Sequence, residues 1–433
     1  MNKNERSIGL LGAMAIGIGG MVGGGIFAVL GEAASIAHGA TAVAFAIAGV
    51  VAFLTAYSYA KLSVRYQSRG GTITFIDNAF NHDLFAGSMN VMLWLSYLVT
   101  ISLYAVAFGA YAGTFFPDTQ SALLTHGLVS TAIIVPAIIN LVNASVVSKS
   151  ETFLVVVKLL ILLFVIVMAM PYVEFERMSP THWESPLGIV TAGMVIFVAY
   201  EGFELIANAA EEIKEPEKNL PRAFFGSVVL VIILYILIAM ITIGTVDEAT
   251  LMEAKDYALA VAVKPALGTF GFVLVAVAAL IATFSAINAS IYGNSRLAFS
   301  LGLEGELPLI DKKDAINPKY GVLSTMAFSL LMANLIDLTE IAIIGSASFL
   351  LIFSVTNLSA LRLSKEIKGN RGLFALAFIS SSAALMTLLV HTYTTNPTAV
   401  YIFGAFMSLS LLFELTYGRI VRKNFSTKHT VSR

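Results

Sequence analysis

The chain reads as an all-α polytopic membrane protein of twelve transmembrane helices, with the first and sixth helices discontinuous. Three observations predict this. Of 433 residues, 58% are hydrophobic and only 12% are charged, with a mean hydropathy of +0.84; a soluble domain carries about 25% charged residues. Gly17, Gly19, Gly20, Gly23, Gly24 and Gly25 crowd into nine residues of an apolar run from Ile8 to Leu30. Each glycine weakens a helix by about 1 kcal/mol relative to alanine, which argues against a plain anchor. The sixth run, GMVIFVAYEGFELIANAAEEI, carries Glu201, Gly202 and Glu204 near its centre. Unwound backbone is tolerated in a bilayer only where protein buries it or a cavity borders it.

Apolar runs of about 20 residues place the spans near 8–30, 40–64, 84–113, 123–143, 150–170, 187–210, 223–245, 268–300, 321–337, 340–362, 372–391 and 397–419. Interrupted helices in corresponding positions of two halves point to the site of an inverted-repeat transporter. The first and sixth runs stand in that relation, and the third and eighth are both unusually long. Residues 8–170 and 187–362 therefore form two repeats of five, the odd count inverting the second. Two additional helices follow at about 372–419, and the short connections make residues 1–433 one transmembrane domain. Between the second and third spans, SRGGTITFIDNAFNHD is too polar to cross, and Ile73, Phe75, Ile76 and Phe80 suit a short interfacial or re-entrant helix. The stretch from Asp247 to Gly268 has room for one or two external helices, either a lid or a connector.

Charge sets the orientation. With the N-terminus in the cytoplasm, 22 of the 26 Lys and Arg residues fall on the cytoplasmic side. They include Lys3, Lys149, Lys312, Lys313, Arg419, Arg422, Lys423, Lys428 and Arg433. Arg177, Lys255 and Lys264 fall outside, and Lys158 lies within a span. The positive-inside rule then puts both termini in the cytoplasm of a multi-pass protein. The first apolar stretch is too long and glycine-rich for a cleaved signal peptide. With no cysteine, disulfides and thiolate metal sites are excluded. His38, His82, His126, His182, His391 and His429 sit at span ends, in loops or in the tail, without ligand spacing. No metal, cofactor or nucleic-acid partner is implied, and an embedded enzyme would lack evident catalytic groups.

Lys158, in TFLVVVKLLILLFVIVMAM, is the one basic residue inside a span. It lies nine residues past Lys149, roughly 13 Å along a helix, so it cannot fully snorkel to the surface. An ionisable group there is a functional hypothesis by default; the alternative is a structural lysine bonded to carbonyls freed by the broken first helix. Glu201 and Glu204 flank Gly202, either as proton or ammonium sites or as caps of half-helices. Phe197, Tyr200 and Phe203 adjoin the second break and are placed to close over a ligand. Tyr97 and Tyr104 share a face of the third span and read as core. Ser285, Asn288 and Ser290 in the eighth span suit helix-to-helix hydrogen bonding.

Several stretches together resemble the amino acid–polyamine–organocation superfamily. They are IGIGGMVGGGIF, YQSRGGTITFI, FVAYEGFELIANAAEEIKEPEKNLPRA and INASIYGNSRLAFSLGLEGELP, in order from about Ile8 to Arg362. The resemblance implies the leucine-transporter fold, a five-plus-five inverted repeat usually followed by two further helices. It implies that backbone amides around Gly23, Gly24 and Gly25, beside Met21, receive a substrate α-carboxylate. Carbonyls from Phe197 to Tyr200 would receive the α-ammonium, with Phe203 beyond them. The acidic position of the family motif falls on Glu204. Lys158 matches the fifth-helix lysine of proton-coupled members, with Gly19 and Ser285 as partners; Glu201 matches no general requirement.

The expectation is a proton-coupled secondary transporter of amino acids in the cell membrane, working by alternating access. Its partners would be an amino acid, protons and the lipid bilayer. A proton-independent exchanger of amino acids or amines is the alternative within transport, and a transporter-like membrane sensor is the alternative outside it. A sodium symporter conflicts with the positive charge of Lys158.

Overall fold

The computed structural model describes residues 6–81, 83–117, 121–143, 145–303 and 319–417. The predicted loop and tail charges Lys3, Lys312, Lys313, Arg419, Arg422, Lys423, Lys428 and Arg433 lie outside them, as do His82, His429 and the side chain of Lys149. Among the described residues every extended element is helical. The β-pairing consists of two isolated bridges, Ile8 with Ile213 and His38 with Trp183.

The first apolar run forms α1 (Leu10–Met21) and α2 (Gly25–Ala37), bent by 47° at the intervening glycines. Next come α3 (Thr41–Arg65), the short α4 (Thr72–Phe80), α5 (Leu84–Gly113), α6 (Ala122–Asn143) and α7 (Ser145–Ala169). The sixth run divides into α8 (Pro186–Val195), a 3₁₀ segment Ile196–Tyr200, and α9 (Leu205–Asn208) beyond a break at Glu201–Glu204. After it come α10 (Pro216–Thr245), α11 (Glu248–Glu253), α12 (Ala258–Ala262) and α13 (Lys264–Leu303). The chain ends in α14 (Lys319–Leu335), α15 (Leu338–Arg362), α16 (Arg371–Thr395) and α17 (Pro397–Tyr417).

Among the described residues, ten helical spans are long and apolar enough to cross a membrane, and the bent α1–α2 pair makes an eleventh. The ninth predicted span is α14, whose 17 residues stand at the short limit for crossing. The polar stretch after α3 does form a helix, α4, and Phe75 and Ile76 are fully buried in it. The stretch after α10 forms α11, a 3₁₀ turn at Lys255–Tyr257, and α12.

Burial sorts the helices into centre and periphery. The spans through α5 and through α8–α9 are 83% and 89% buried, against 22–33% for α6, α7, α16 and α17. The outer helices present Val142, Leu160, Ile379 and Leu412 outward, an apolar surface that suits lipid. The fullest packing joins α3 to α10, followed equally by α5 to α13 and α15 to α16.

Polar side chains tie this apolar bundle together. Asn140 donates to the Asn288 Oδ1 at 2.8 Å, linking α6 to α13. Asn357 of α15 donates to Thr55 Oγ1, to the Ala377 carbonyl and to Ser381 Oγ, each at 3.1 Å. One amide thus clamps α15 to both α3 and α16. Interhelical hydrogen bonds in membranes average about 0.6 kcal/mol and reach about 1.7. Asn357→Leu keeps the volume and removes all three bonds; we expect a loss of about 1–2 kcal/mol, measured as a lower thermal midpoint of the detergent-solubilised protein.

Candidate substrate and coupling site

The two broken spans meet backbone to backbone. A Cβ on Gly20 would lie 2.7 Å from both the Cα and the carbonyl oxygen of Gly202. One on Gly202 would lie 2.6 Å from the Gly20 Cα and the Met21 nitrogen. Gly202 also has φ +115°, a region that L side chains avoid. The strand-like entry to α1 is fixed to the same neighbour. The Ile8 N–H donates to the Glu212 carbonyl at 3.0 Å, and the Lys214 N–H to the Ile8 carbonyl at 2.8 Å.

Each remaining glycine of the first break faces a different helix. A Cβ on Gly23 would meet the Ala286 Cβ of α13, and one on Gly25 the Ala199 Cα, both at 2.7 Å. At Gly24 it would strike the ring of Tyr104 on α5, 2.6 Å from Cγ. The Gly23 N–H is already turned to the Gly20 carbonyl at 3.3 Å. Gly24 caps α2 without a side chain, so the amides of Gly25, Ile26 and Phe27 have no carbonyl one turn behind them. A thirteen-residue helix beginning this way presents donors and the positive end of its dipole to an anion.

The freed carbonyls find specific donors. Lys158, 2% exposed on α7, donates from Nζ to the Gly19 carbonyl at 3.0 Å. The Tyr235 hydroxyl of α10 lies 2.6 Å from the Met21 carbonyl and 3.0 Å from that of Ala199, bridging both breaks. Ser346 of α15 donates to the Val195 carbonyl at 2.5 Å and accepts from the Val198 N–H at 2.9 Å, where α8 passes into the 3₁₀ segment. Ser285 is buried on α13 one residue before Ala286. Sequence reasoning missed Tyr235 and Ser346; a lone tyrosine within VVLVIILYILIAMITIG was the available signal for the first.

Both carboxyls of the second break are buried, Glu201 at 3% exposure and Glu204 at 1%. Tyr104 donates to Glu201 Oε2 at 3.1 Å, and Tyr97 to Glu204 Oε1 at 3.2 Å. The Gly202 N–H donates to Glu204 Oε2 at 2.8 Å. Tyr97 and Tyr104, read as core, are core residues whose hydroxyls also hold the two acids. The aromatic candidates diverge. Phe197 and Phe203 join Tyr59 and Phe353 in one aromatic cluster, edge-to-face except for the tilted Phe203–Phe353 pair. Tyr200 lies tilted against the ring of Tyr235 and donates to the Phe45 carbonyl of α3 at 2.8 Å.

At the far end of α2, Glu32 pairs with Lys255 and accepts from Thr339 Oγ1 at 3.0 Å. Lys255 also donates to that hydroxyl at 3.2 Å. Three segments distant in sequence are joined there over the first break. Burial pushes the carboxyl of neighbouring Asp256 up, with Glu32 and Asp337 adding to the effect and Lys255 opposing it.

A model of the amino acid permease family matches residues 8–417. The chain belongs to that family. It is 34% identical over 432 residues to an uncharacterised protein of Methanocaldococcus jannaschii, covering 98% of each chain. It is 31% identical over 428 residues to the inner membrane transport protein YbaT of Escherichia coli, again 98% of each. Among solved structures it resembles Mhp1, a nucleobase-cation-symport-1 family transporter in a closed conformation. The TM-score is 0.57 and the identity 15%, over 98% of this chain and 94% of that one. The fold is therefore shared with Mhp1, and the protein is a multi-pass membrane transporter of amino acids rather than an enzyme.

In this permease the Gly20–Gly202 contact leaves no room for a side chain. Gly202→Ala combines a strained φ with overlap on Met21, a cost of at least about 1–3 kcal/mol. We expect a sharply reduced monodisperse yield and thermal midpoint, read by size-exclusion chromatography and melting in detergent.

Proposed function

We propose that the protein is a proton-coupled amino acid symporter of the cell membrane, working by alternating access with both termini in the cytoplasm. On this reading it has twelve spans. Residues 8–170 and 187–362 form a five-plus-five inverted repeat of the leucine-transporter kind, followed by two additional helices. The packing of α3 on α10 and of α5 on α13 supports the repeat, because each pair joins equivalent members of the two halves.

The observation that carries the function is the bond from Lys158 to the Gly19 carbonyl. A charged lysine at the centre of a span costs about 2.5–3.5 kcal/mol on insertion scales, and this one gives a hydrogen bond to the broken helix itself. Protonated, it ties α1 to α7, with Ser285 of α13 as a further partner. Deprotonated, it releases that tie. The proton drives transport because the two states bind it with different affinity.

The substrate's α-carboxylate sits on the amides around Gly23, Gly24 and Gly25 at the start of α2. Its α-ammonium meets the carbonyls from Phe197 to Tyr200, with Met21 and Phe203 completing the wall. Glu204 beside Gly202 serves the proton path. The junction of Glu32, Lys255 and Thr339 closes the side opposite the termini.

Lys158→Ala should abolish uptake driven by an inside-alkaline gradient in proteoliposomes, while amino acid binding by the solubilised protein persists. Gradient-driven uptake equal to the parent protein's would overturn the coupling role. Joint loss of binding and thermal stability would mark the lysine as a strut.

Gly24→Val places a branched side chain against Tyr104 and obstructs the proposed carboxylate site. We expect loss of amino acid binding by at least ~100-fold, on the scale of a removed charge-assisted contact. Binding competition with a panel of radiolabelled amino acids reads this out, and the same panel on the parent protein identifies the substrate.

A further inference from the structure

We propose that a half-open cavity at the far end of α2 is a second binding site, separate from the breaks, for a small aliphatic amino acid. The cavity measures about 220 Å³, below the about 300–1,000 Å³ of drug-sized pockets, so it suits one small molecule. Ala34 of α2 lines it and stands roughly 14 Å along the helix from Gly25 at the first break.

Its walls come from α2, the end of α10, α11 and the segment between α7 and α8, and polar contacts fix them to one another. His38, which caps the C-terminus of α2, brings Nδ1 to 2.7 Å from Glu248 Oε1 of α11. The Gly39 N–H donates to the His182 carbonyl at 3.0 Å, and the Glu174 N–H to the Gly244 carbonyl of α10 at 2.8 Å. A Cβ on Gly39 would lie 2.6 Å from the Arg177 carbonyl oxygen. The site is thus formed ahead of its ligand, as small-molecule sites usually are.

The lining pairs an apolar floor with charges of both signs. Ala34, Ile243 and Leu251 are buried side chains that border it, a surface for an aliphatic group. Arg177 lines it from the segment before α8. Arg177 Nε donates to Glu174 Oε2 at 3.0 Å, while Nη1, shielded from bulk water, has no hydrogen-bond partner among the described residues. A shielded donor without a partner is costly, and a carboxylate is the acceptor that matches a guanidinium. Asp247 and Glu248 line the site from the start of α11. Both oxygens of Asp247 accept from Thr250, at 3.0 and 2.9 Å. Those bonds, with the charge of Arg177 adding to them, hold its carboxyl below the usual range. Glu248 gives Oε1 to His38 and has Oε2 for an ammonium. A plain anion would meet two acids here, and a plain cation would meet Arg177; a zwitterion with an aliphatic tail satisfies both. Binding stands by itself, whereas use of the site as an outer station for the centre rests on the transport reading.

Trp183 reports on the site, because it follows His182 in the chain and bridges to His38. Trp94→Phe makes it the single tryptophan of the full chain. In that background, solubilised protein is titrated with L-leucine, with isocaproate, which lacks the ammonium, and with isopentylamine, which lacks the carboxylate. Leucine should change the Trp183 emission saturably, with a midpoint near ~1 mM for a site that cannot enclose its occupant, and isopentylamine should not. Arg177→Gln should weaken the response at least ~10-fold, the scale of a lost charge-assisted bond. Val246→Phe, which fills the cavity from its wall, should do the same if Arg177→Gln does not fold. Binding of the radiolabelled panel at the centre, read well below that midpoint, should be unchanged in both variants. No saturable response, or one that survives both changes, overturns the site. Equal loss of central binding places the response at the breaks and also overturns it. An equal response to isocaproate overturns the amino acid as ligand in favour of a plain carboxylate. If leucine answers at Trp183 while no amino acid binds centrally or is taken up, the transport reading fails and the cavity site stands.

Discussion

The close approach of Gly20 and Gly202 is the constraint on which the rest of the centre depends. Two helices that each break inside an apolar bundle release amides and carbonyls that lipid cannot satisfy. Setting the breaks against each other lets one shell of partners serve both. Tyr235 reaches a carbonyl of each broken span from a single position on α10. No side chain larger than hydrogen fits at the contact.

The donors around the breaks differ in kind, and the difference bears on motion. Ser346 both gives and accepts at the turn into the 3₁₀ segment, a bond suited to holding one geometry. Lys158 contributes an ammonium whose charge depends on a proton. The second span carries both kinds, the Ser346 hydroxyl before its break and the carboxyls of Glu201 and Glu204 at it, while Lys158 attends the first. The bend of 47° between α1 and α2 adjoins the carbonyl that Lys158 holds.

The far end of α2 is held by a separate arrangement. Glu32, Lys255 and Thr339 join three segments that are remote in sequence. The backbone of Lys255 also lies directly against Gly31. These polar contacts sit beside an apolar cluster of Ala34, Ile243, Leu251 and Ala258 at the same end of the bundle. The Asn357 clamp, elsewhere in the bundle, keeps α15 against α3 and α16.

Membrane class, the order of the helices and the positions of both breaks were legible in the residues themselves. Glycine density and a charge inside an apolar run are local properties, and they act through helix propensity and the cost of burying charge. Lys158 stood out for that reason, and its family match named Gly19. Tyr97, Tyr104, Tyr235 and Ser346 were not separable from ordinary core residues, because tyrosine and serine are common in spans. Their hydrogen bonds cross between helices about 100 to 210 residues apart. The opposite outcome befell Tyr200, whose position beside the break concealed that its hydroxyl is turned to Phe45. Sequence by itself determined where the backbone opens, since that is set by residue type along one helix. Which side chains fill the opening was decided only by tertiary structure, because a hydrogen bond depends on distance and direction across the bundle.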